Sequence, residues 1–183
     1  MKRVAVIGCS GAGKSRFSSR LGEIERIPVF HLDPLYWRPA IRDADPSKWS
    51  EIQSGLAAQD SWIIDGNYGA TLDLRLKRAD TLIFFDFSSV ACVAGVVTRA
   101  LRSRLAGQRQ EDWVSGCNNR LDFDLLKQSW SFGSRHREGI IKGAARYSDL
   151  SLVRFRNRGE ADRFLAERLE LSRARGTCPA GGG

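Results

Sequence analysis

The sequence lacks the features that would mark a membrane-spanning, zinc-binding or multidomain protein. Its 183 residues contain no apolar run of about eighteen residues, the length that a membrane-spanning helix needs. Its four cysteines have no CxxC spacing and no histidine cluster nearby, which argues against a zinc site. No internal repeat or domain boundary is visible, and the length fits one domain. We therefore expect a single domain that does not bind a membrane.

Nucleic-acid recognition has little support in the sequence, although the formal net charge is +8. No basic run alternates with aromatic residues, and neither helix-turn-helix nor zinc-finger spacing is present. Positive charge also suits a protein that handles polyphosphates. DNA is therefore an open alternative as a partner, and the oligomeric state, monomer or homodimer, is equally open.

The chain begins with a short apolar run that leads into a glycine-rich loop. A secretory signal would lead into a cleavage site instead, so we interpret this run as the first strand and expect a cytoplasmic protein. In a reducing cytosol the cysteines should be free thiols. Cys9 lies within the glycine-rich loop, where its oxidation would block entry of a ligand.

Short apolar runs alternate with amphipathic stretches along the chain, a pattern typical of an α/β domain with a parallel sheet. Continuous apolar runs suit strands that helices cover on both faces. The predicted strands are Arg3–Ile7, Pro28–Leu32, Trp62–Asp65, Thr81–Phe85 and Leu150–Phe155.

The stretches between these strands predict helices. The first predicted helix begins at Lys14, and the second begins after Pro46 with Ser47 as N-cap. The other predicted helices are Ser89–Leu105, Asp122–Trp130, Arg135–Ala144 and Glu160–Leu171. Trp49 and Trp62 are expected in the core. Residues 172–183 contain nothing to bury, so we predict a domain over residues 1–171 and a disordered tail after it.

The segment between the first strand and the first helix matches the phosphate-binding pattern G-x-x-x-x-G-K-S. Its glycines allow the backbone angles at which successive N–H groups point at phosphate oxygens. The candidate nucleotide-binding residues are Gly8, Cys9, Ser10, Gly11, Ala12, Gly13, Lys14, Ser15 and Arg16. Lys14 is expected to reach the β- and γ-phosphates and to act in catalysis, and the Ser15 hydroxyl to ligate Mg²⁺. We therefore predict ATP and Mg²⁺ as cofactors, and the absence of an Asn-Lys-x-Asp segment argues against a GTPase.

Aspartates lie at the carboxyl ends of three of the predicted strands, at the edge where open parallel sheets bind their ligands. Asp33 is a candidate to orient or deprotonate an acceptor hydroxyl, with a loop cap before Pro34 as the alternative. Asp65 is a candidate Mg²⁺ ligand and substrate contact, with a turn-forming role as the alternative. For Asp86 we expect a structural role.

Residues near these aspartates extend the predicted acceptor site. The candidate substrate contacts are Asp33, Asp65, Gly66, Asn67, Tyr68 and Trp37. Gly66 allows a close approach to the main chain. Trp37 either lines the acceptor pocket or packs against the domain. His31 is either a hydrogen-bonded packing residue or an acid or base.

The stretch from Arg99 to Arg120 is rich in arginine, and its part between Gly107 and Gly116 lacks clear periodicity. Guanidinium groups match the geometry of phosphate oxygens. Glycines at both ends suit a mobile lid over about residues 106–120, and a solvated basic helix face is the alternative. Arg99, Arg109 and Arg120 are the candidate catalytic arginines.

Several segments together resemble the FlaR-like family of proteins named “DNA topology modulation protein”, which are similar to adenylate kinases. The matching segments are residues 6–15, 31–37, 62–68, 71–76, 79–81 and 116–120. The resemblance implies the nucleoside-monophosphate-kinase fold, an α/β three-layer sandwich with a five-stranded parallel sheet in the order 2-3-1-4-5 and an arginine-bearing lid. It also implies that Asp65 and Gly66 line the acceptor site. The family name suggests DNA as a partner.

Two functions are open on the sequence alone. The leading one is a kinase that binds MgATP and transfers its γ-phosphoryl group to an unidentified small-molecule or nucleotide acceptor. The alternative is a nucleotide-dependent regulatory protein that binds DNA and modulates its topology. ADP release that depends on an acceptor favours the first, and salt-sensitive duplex binding that changes with ATP favours the second.

Overall fold

A computed structural model describes residues 1–105 and 123–176, in which five strands form one parallel sheet. The strands are β1 (Arg3–Gly8), β2 (Val29–His31), β3 (Trp62–Asp65), β4 (Thr81–Phe85) and β5 (Ser151–Phe155). Their order across the sheet is β2-β3-β1-β4-β5. This confirms the predicted α/β class and the strand order that the family resemblance implied.

The central strand β1 is apolar along its length because it is covered from every side. Residues 4–7 are completely or almost completely buried, with β3 on one side and β4 on the other. Val4 pairs with both Ile63 and Thr81, one on each neighbouring strand. Because all five strands run parallel, their carboxyl ends meet at one edge of the sheet, and the polar segments that follow them come together there.

Helices connect the strands and cover both faces of the sheet. The α-helices in the described ranges are α1 (Lys14–Glu25), α2 (Leu32–Tyr36), α3 (Pro39–Arg42), α4 (Pro46–Ala57), α5 (Leu72–Leu76), α6 (Ser89–Leu105), α7 (Phe123–Ala144) and α8 (Arg158–Gly176). A 3-10 turn at Gly69–Thr71 precedes α5. The helices α2, α3 and α5 are too short to show helical periodicity in the sequence, and they are absent from the prediction for that reason.

Apolar side chains form a core on each face of the sheet, which gives the three layers expected from the fold. On one face Leu21 of α1 packs in a cluster with Phe85 of β4. On the other face Trp49 of α4 packs in a cluster with Trp62 and Phe84. Both tryptophans are buried, as predicted.

Helix α7 corrects the prediction of two separate helices over residues 122–144. The predicted break falls on serines that are satisfied inside a continuous helix: the hydroxyls of Ser131 and Ser134 donate to the carbonyls of Lys127 (2.9 Å) and Ser131 (3.0 Å). Phe132, between them, packs against both cores. Tertiary packing therefore keeps this stretch helical despite its low helix propensity.

The N-cap of α4 is Asp45 and not Ser47, which corrects a second expectation. The Asp45 carboxylate accepts a hydrogen bond from the N–H of Ser47 at 2.8 Å. Pro46 occupies the first helical position, where its missing N–H costs nothing. The helix therefore begins one residue before the predicted cap.

Helix α8 continues to Gly176, past its predicted end at Leu171. The Ser172 hydroxyl donates to the carbonyl of Ile24 at 3.0 Å, so the end of α1 supports the additional turn. The predicted disordered tail therefore cannot begin at residue 172. Its remaining part, residues 177–183, lies outside the described residues.

Neither a membrane span nor a metal cluster occurs in residues 1–105 and 123–176. No helix there is long and apolar enough to cross a membrane. The same ranges hold no group of three or more His, Cys, Asp or Glu side chains placed to bind a metal ion. Mg²⁺ bound to a nucleotide needs only one or two protein ligands and would not form such a group.

Candidate phosphotransfer site

The predicted phosphate loop lies at the carboxyl edge of the sheet, between β1 and α1. Gly8 has φ +141° and Gly11 has φ +85°, conformations that favour glycine. A Cβ atom on Gly8 would lie 2.5 Å from the carbonyl oxygen of Phe85, and one on Gly11 would overlap the carbonyl oxygen of Cys92. Gly95 of α6 meets the main chain of Gly11 equally closely. Main-chain packing against β4 and α6 therefore fixes the path of the loop.

Helix α1 directs its amino end into this loop. The N–H of Phe17 bonds the carbonyl of Gly13 at 3.1 Å, so the N–H groups of residues 14–16 have no acceptor within the helix. The first turn contains no acidic residue. Lys14 Nζ lies over the loop and donates to the carbonyl of Cys9 at 3.1 Å. Free N–H groups, the helix dipole and an ammonium group together favour a bound anion.

The residues of this edge fit the phosphates of a nucleotide and a magnesium ion. The loop and the amino end of α1 offer converging N–H groups, the donor set that phosphate oxygens need. Asp65 is buried, and its Oδ1 accepts no hydrogen bond from the described part of the chain. A buried carboxylate oxygen without a donor is a group that a cation or its bound water can satisfy. The hydroxyl of Ser15, in the first turn of α1, is a second available oxygen.

Asp65 and His31 end the neighbouring strands β3 and β2, and the sheet register places them side by side. His31 Nδ1 lies 3.0 Å from Asp65 Oδ2, and its Nε2 lies 3.3 Å from the hydroxyl oxygen of Ser19 on α1. The imidazole therefore bridges the buried carboxylate and the first helix. His31 is therefore hydrogen-bonded on both ring nitrogens, and a role as acid or base stays a prediction.

Arg75 of α5 holds the segment after Asp65, and sequence reasoning missed this residue. Its side chain is completely buried. Nη1 donates to the carbonyl of Gly66 at 2.7 Å, and Nη2 donates to the carbonyls of Asn67 at 3.0 Å and Tyr68 at 3.3 Å. Burial lowers the pKa of Arg75 to about 10, while the charge of Asp65 acts in the opposite direction. The guanidinium therefore stays charged at neutral pH. In the sequence, the only indication that position 75 is buried is that its arginine lies among leucines.

Asn67 bonds the phosphate loop, although the sequence predicted it as a substrate contact. Its Oδ1 accepts a hydrogen bond from the N–H of Gly8 at 2.9 Å. The neighbouring Gly66 donates its N–H to the carbonyl of Val6 at 3.1 Å. The segment after β3 is thus joined to β1 and to the first glycine of the phosphate loop. A contact between Asn67 and a substrate stays a prediction.

Four aromatic rings, Tyr36, Trp37, Trp49 and Tyr68, form an aromatic cluster on the β2 side of the edge. The ring centroid of Tyr68 lies 5.2 Å from that of Tyr36 and 5.0 Å from that of Trp49. Trp37 meets Tyr36 edge to face at 5.7 Å and is 38% exposed. The cluster brings two predicted substrate contacts, Trp37 and Tyr68, to one surface. Whether Trp37 touches an acceptor stays a prediction.

Asp33 is exposed in the first turn of α2 and belongs to a helix, not to the loop that the sequence predicted. A carboxylate in the first turn interacts favourably with the helix dipole. Its favourable place in the helix is a sufficient reason for an aspartate here, even without a catalytic role. The role of Asp33 toward an acceptor hydroxyl therefore stays a prediction.

Asp86, which follows β4, has the structural role that the sequence predicted. It is buried, Arg137 Nε donates to its Oδ1 at 2.7 Å, and Arg154 Nε donates to its Oδ2 at 2.7 Å. A third arginine, Arg158, places Nη2 3.6 Å from the position of a Cβ on Gly13. Arginines from α7, β5 and α8 therefore reach the carboxyl edge. Sequence reasoning missed all three because they are distant from the loop along the chain.

The predicted catalytic arginines are only partly covered by the structure. Arg99 is half-buried on α6, three residues beyond Val96, whose main-chain nitrogen would lie 2.8 Å from a Cβ on Gly11. Residues three apart share a helix face, so Arg99 belongs to the side of α6 that meets the loop. Arg109 and Arg120 lie outside the described residues, as does the predicted lid at residues 106–120.

Two free thiols are buried where the phosphate loop meets α6 and α7. Cys9 Sγ lies 3.3 Å from the carbonyl oxygen of Ser129, and Cys92 is in the first turn of α6. The hydrogen bond with Cys92 lowers the pKa of Cys9, burial opposes this, and the charge of Lys14 adds to the lowering. The same hydrogen bond, together with burial, raises the pKa of Cys92. The other two cysteines, Cys117 and Cys178, lie outside the described residues.

Comparison with known proteins relates this fold to P-loop kinases. No protein-family model matches the chain, and no curated protein sequence matches it. Among solved structures, the shikimate kinase from Acinetobacter baumannii in complex with shikimate is 14% identical, with a TM-score of 0.56 over 97% of this chain and 96% of that chain. A gluconokinase from Sinorhizobium meliloti 1021 is 15% identical, with a TM-score of 0.51 over 95% and 97%. A shikimate kinase from Bacteroides thetaiotaomicron is 14% identical, with a TM-score of 0.52 over 93% and 97%.

At these identities the likeness concerns the fold. The chain has the α/β fold of P-loop kinases, with the strand order 2-3-1-4-5. Membership of the FlaR-like family is not confirmed by these comparisons. None of the three named structures carries a name that refers to DNA.

Proposed function

We propose that the protein is an ATP-dependent phosphotransferase that moves the γ-phosphoryl group of MgATP to a small-molecule acceptor. The observation that carries this proposal is the phosphate loop. Main-chain contacts fix its path, the amino end of α1 points into it, and Lys14 lies over it. Strand, loop and helix in this arrangement form the phosphate-binding unit of P-loop proteins. The names of the gluconokinase and the shikimate kinases support a small molecule as the acceptor.

The residues of the loop have separate tasks in this proposal. The free N–H groups of the loop and of the amino end of α1 bind phosphate oxygens, and Lys14 neutralises charge on the β- and γ-phosphates. Ser15 and Asp65 hold Mg²⁺, which when bound neutralises phosphate charge and orients the γ-phosphoryl group. Because main-chain packing fixes the loop, its donors are oriented before the nucleotide arrives.

The acceptor binds beyond β2 and β3 in this proposal. Asp65 and Gly66 line the site, and Asp33 orients or deprotonates the acceptor hydroxyl. Asn67, Tyr68 and Trp37 contact the acceptor. Arg99, Arg109 and Arg120 are the candidates that stabilise charge on the transferring group.

The test is ADP release from MgATP with a panel of sugars, sugar acids, nucleosides, nucleotides and plasmid DNA. We expect one small molecule to raise ADP release well above the rate without acceptor. Lys14→Ala should lower that rate roughly 100-fold or more, the usual cost of removing one preorganised charged donor. Lys2→Ala is the matched control, because Lys2 is exposed at the opposite end of β1.

Three results would contradict the proposal. Fast ADP release without any acceptor would indicate a hydrolase. Stimulation by plasmid DNA alone would favour the DNA-dependent regulatory function. An equal rate in Lys14→Ala and the wild type would show that the phosphate loop does not act in the reaction.

A further inference from the structure

The segment 66–68 follows a main-chain path that suits glycine at Gly66 but is unfavourable for the tyrosine at position 68. Gly66 has φ +148° and Tyr68 has φ +21°, and a tyrosine with positive φ is uncommon. Such a conformation persists only where the surroundings impose it. Thr71 donates its N–H and its hydroxyl to the carbonyl of Tyr68, and Arg75 alone donates to the carbonyls of all three residues of the segment in the described part of the chain.

An arginine suits this task better than another buried side chain would. Its planar guanidinium presents several donors in fixed directions, so one group spans three carbonyls. Burying a charge is costly, and an apolar side chain of similar size would fill the same space more favourably. Packing alone therefore does not account for a charged residue at position 75, and the three hydrogen bonds do.

The segment that Arg75 holds is joined in turn to the phosphate loop. Asn67 Oδ1 accepts the N–H of Gly8 at 2.9 Å, and Gly8 is the first glycine of the loop. Arg75 fixes the main chain at Asn67 through the carbonyl of that same residue, 3.0 Å away. A continuous set of hydrogen bonds therefore runs from α5 through Asn67 to the start of the nucleotide site.

We propose that Arg75 is a positioning residue that joins the two sides of the candidate site. It sets the path of residues 66–68, and through Asn67 it holds the first glycine of the phosphate loop. Arg75 itself touches neither nucleotide nor acceptor. The inference rests on the proposed function only where it concerns nucleotide binding.

The experiment compares Arg75→Lys, Asn67→Ala and the double variant with the wild type. Arg75→Lys keeps the positive charge but loses the planar guanidinium that spans the three carbonyls. Asn67→Ala removes the hydrogen bond to the N–H of Gly8 and leaves the buried arginine in place. Arg78→Lys is the matched control, because Arg78 is exposed just beyond the same helix and its side chain donates to the carbonyl of Ala58, away from the segment 66–68. Circular dichroism and thermal unfolding establish that each variant is folded.

Two readouts are used, and one needs no nucleotide. Amide hydrogen exchange followed by NMR compares the N–H of Gly8 with that of Leu82, a buried reference in β4. Calorimetry measures the Kd of MgADP. We expect Arg75→Lys and Asn67→Ala each to speed exchange at Gly8 about tenfold relative to Leu82. Each should also weaken MgADP binding about fivefold to tenfold, which corresponds to the loss of one hydrogen bond. Arg78→Lys should change neither.

The double variant decides whether Arg75 acts through Asn67. If it does, the double variant binds MgADP about as weakly as the weaker single variant, because both changes break one connection. Effects that multiply would overturn the proposal, as would Arg75→Lys speeding exchange at Gly8 and Leu82 equally. If the wild type does not bind MgADP, the proposed function fails, while the exchange comparison at Gly8 still supports or refutes the inference.

Discussion

The phosphate loop after β1 and the segment 66–68 after β3 meet at the same edge of the sheet, but different forces hold them. The phosphate loop is enclosed by main chain, since the carbonyls of Phe85 and Cys92 occupy the space that a side chain at Gly8 or Gly11 would need. The segment 66–68 is held by side-chain donors, above all by Arg75. Adding a side-chain atom to a glycine of the phosphate loop should therefore destabilise the fold. In the segment 66–68, the loss of a polar group should have that effect.

The largest effect on folding should come from adding one methyl group to the phosphate loop. In Gly11→Ala the new Cβ meets the carbonyl of Cys92 and forces an unfavourable φ. We expect the free energy of unfolding in urea to fall by about 3 kcal/mol, from overpacking and backbone strain together. Gly55→Ala is the control, since Gly55 is exposed within α4 with no atom near a Cβ, and it should gain about 0.5–1 kcal/mol. If Gly11→Ala were as stable as Gly55→Ala, main-chain enclosure would not be what holds the phosphate loop.

The segment 66–68 should instead respond to the loss of a single hydroxyl. Thr71 is buried, its Oγ1 accepts from Gln53 Nε2 at 2.5 Å, and the same hydroxyl donates to the carbonyl of Tyr68 at 3.1 Å. Thr71→Val keeps the shape, leaves the buried Gln53 Nε2 without its acceptor and removes one of the three donors to the Tyr68 carbonyl, so the free energy of unfolding should fall by about 1–2 kcal/mol. Thr98→Val, on the exposed surface of α6, should stay within about 0.5 kcal/mol of the wild type. A neutral Thr71→Val would mean that water replaces the lost partner.

The smallest effect concerns the end of α1 away from the phosphate loop, where an ion pair anchors α1 to α8. Burial would raise the pKa of Glu25, but the hydrogen bonds and charges of Arg168 and Arg175 outweigh it and hold that pKa below its usual value. A lowered carboxyl pKa stabilises the folded state above the unfolded pKa, and this contribution is lost as the pH falls through the folded pKa.

Glu25→Gln should therefore lower the free energy of unfolding by about 1 kcal/mol at neutral pH, and the difference from the wild type should disappear in acid. Urea unfolding of both proteins at a series of pH values measures this. The control is Glu23→Gln, whose exposed ion pair with Arg20 should contribute almost nothing. A pH-independent difference would assign the effect to packing and not to charge.

The parts of the fold that the sequence predicted well depend on nearby residues. The strand before the phosphate loop, the loop pattern and the helix from Lys14 lie within one short stretch, and each predicts the others. Trp49 and Trp62 could be assigned to the core because large aromatic residues within apolar patterns are usually buried. The strand order came from the family resemblance, since periodicity does not determine which strands are neighbours.

The parts that could not be predicted depend on contacts between distant segments. Arg75 and Asn67 each act on the main chain of another element, and no spacing rule connects them to Gly8. Asp86 is bound by Arg137 and Arg154, which follow it by 51 and 68 residues. Helix α7 stays continuous because Phe132 packs against both cores. Each of these outcomes is decided by tertiary packing, which local propensity does not report.

The contact between Gly11 and Gly95 has a consequence for redesign of the protein. Each glycine meets main-chain atoms of the other element, and main chain cannot turn aside as a flexible side chain can. A larger residue at one position therefore cannot be compensated by a smaller one at the other, since both are already minimal. Libraries that test the proposed acceptor site should therefore keep positions 11 and 95 constant and vary Trp37, the exposed ring of the aromatic cluster.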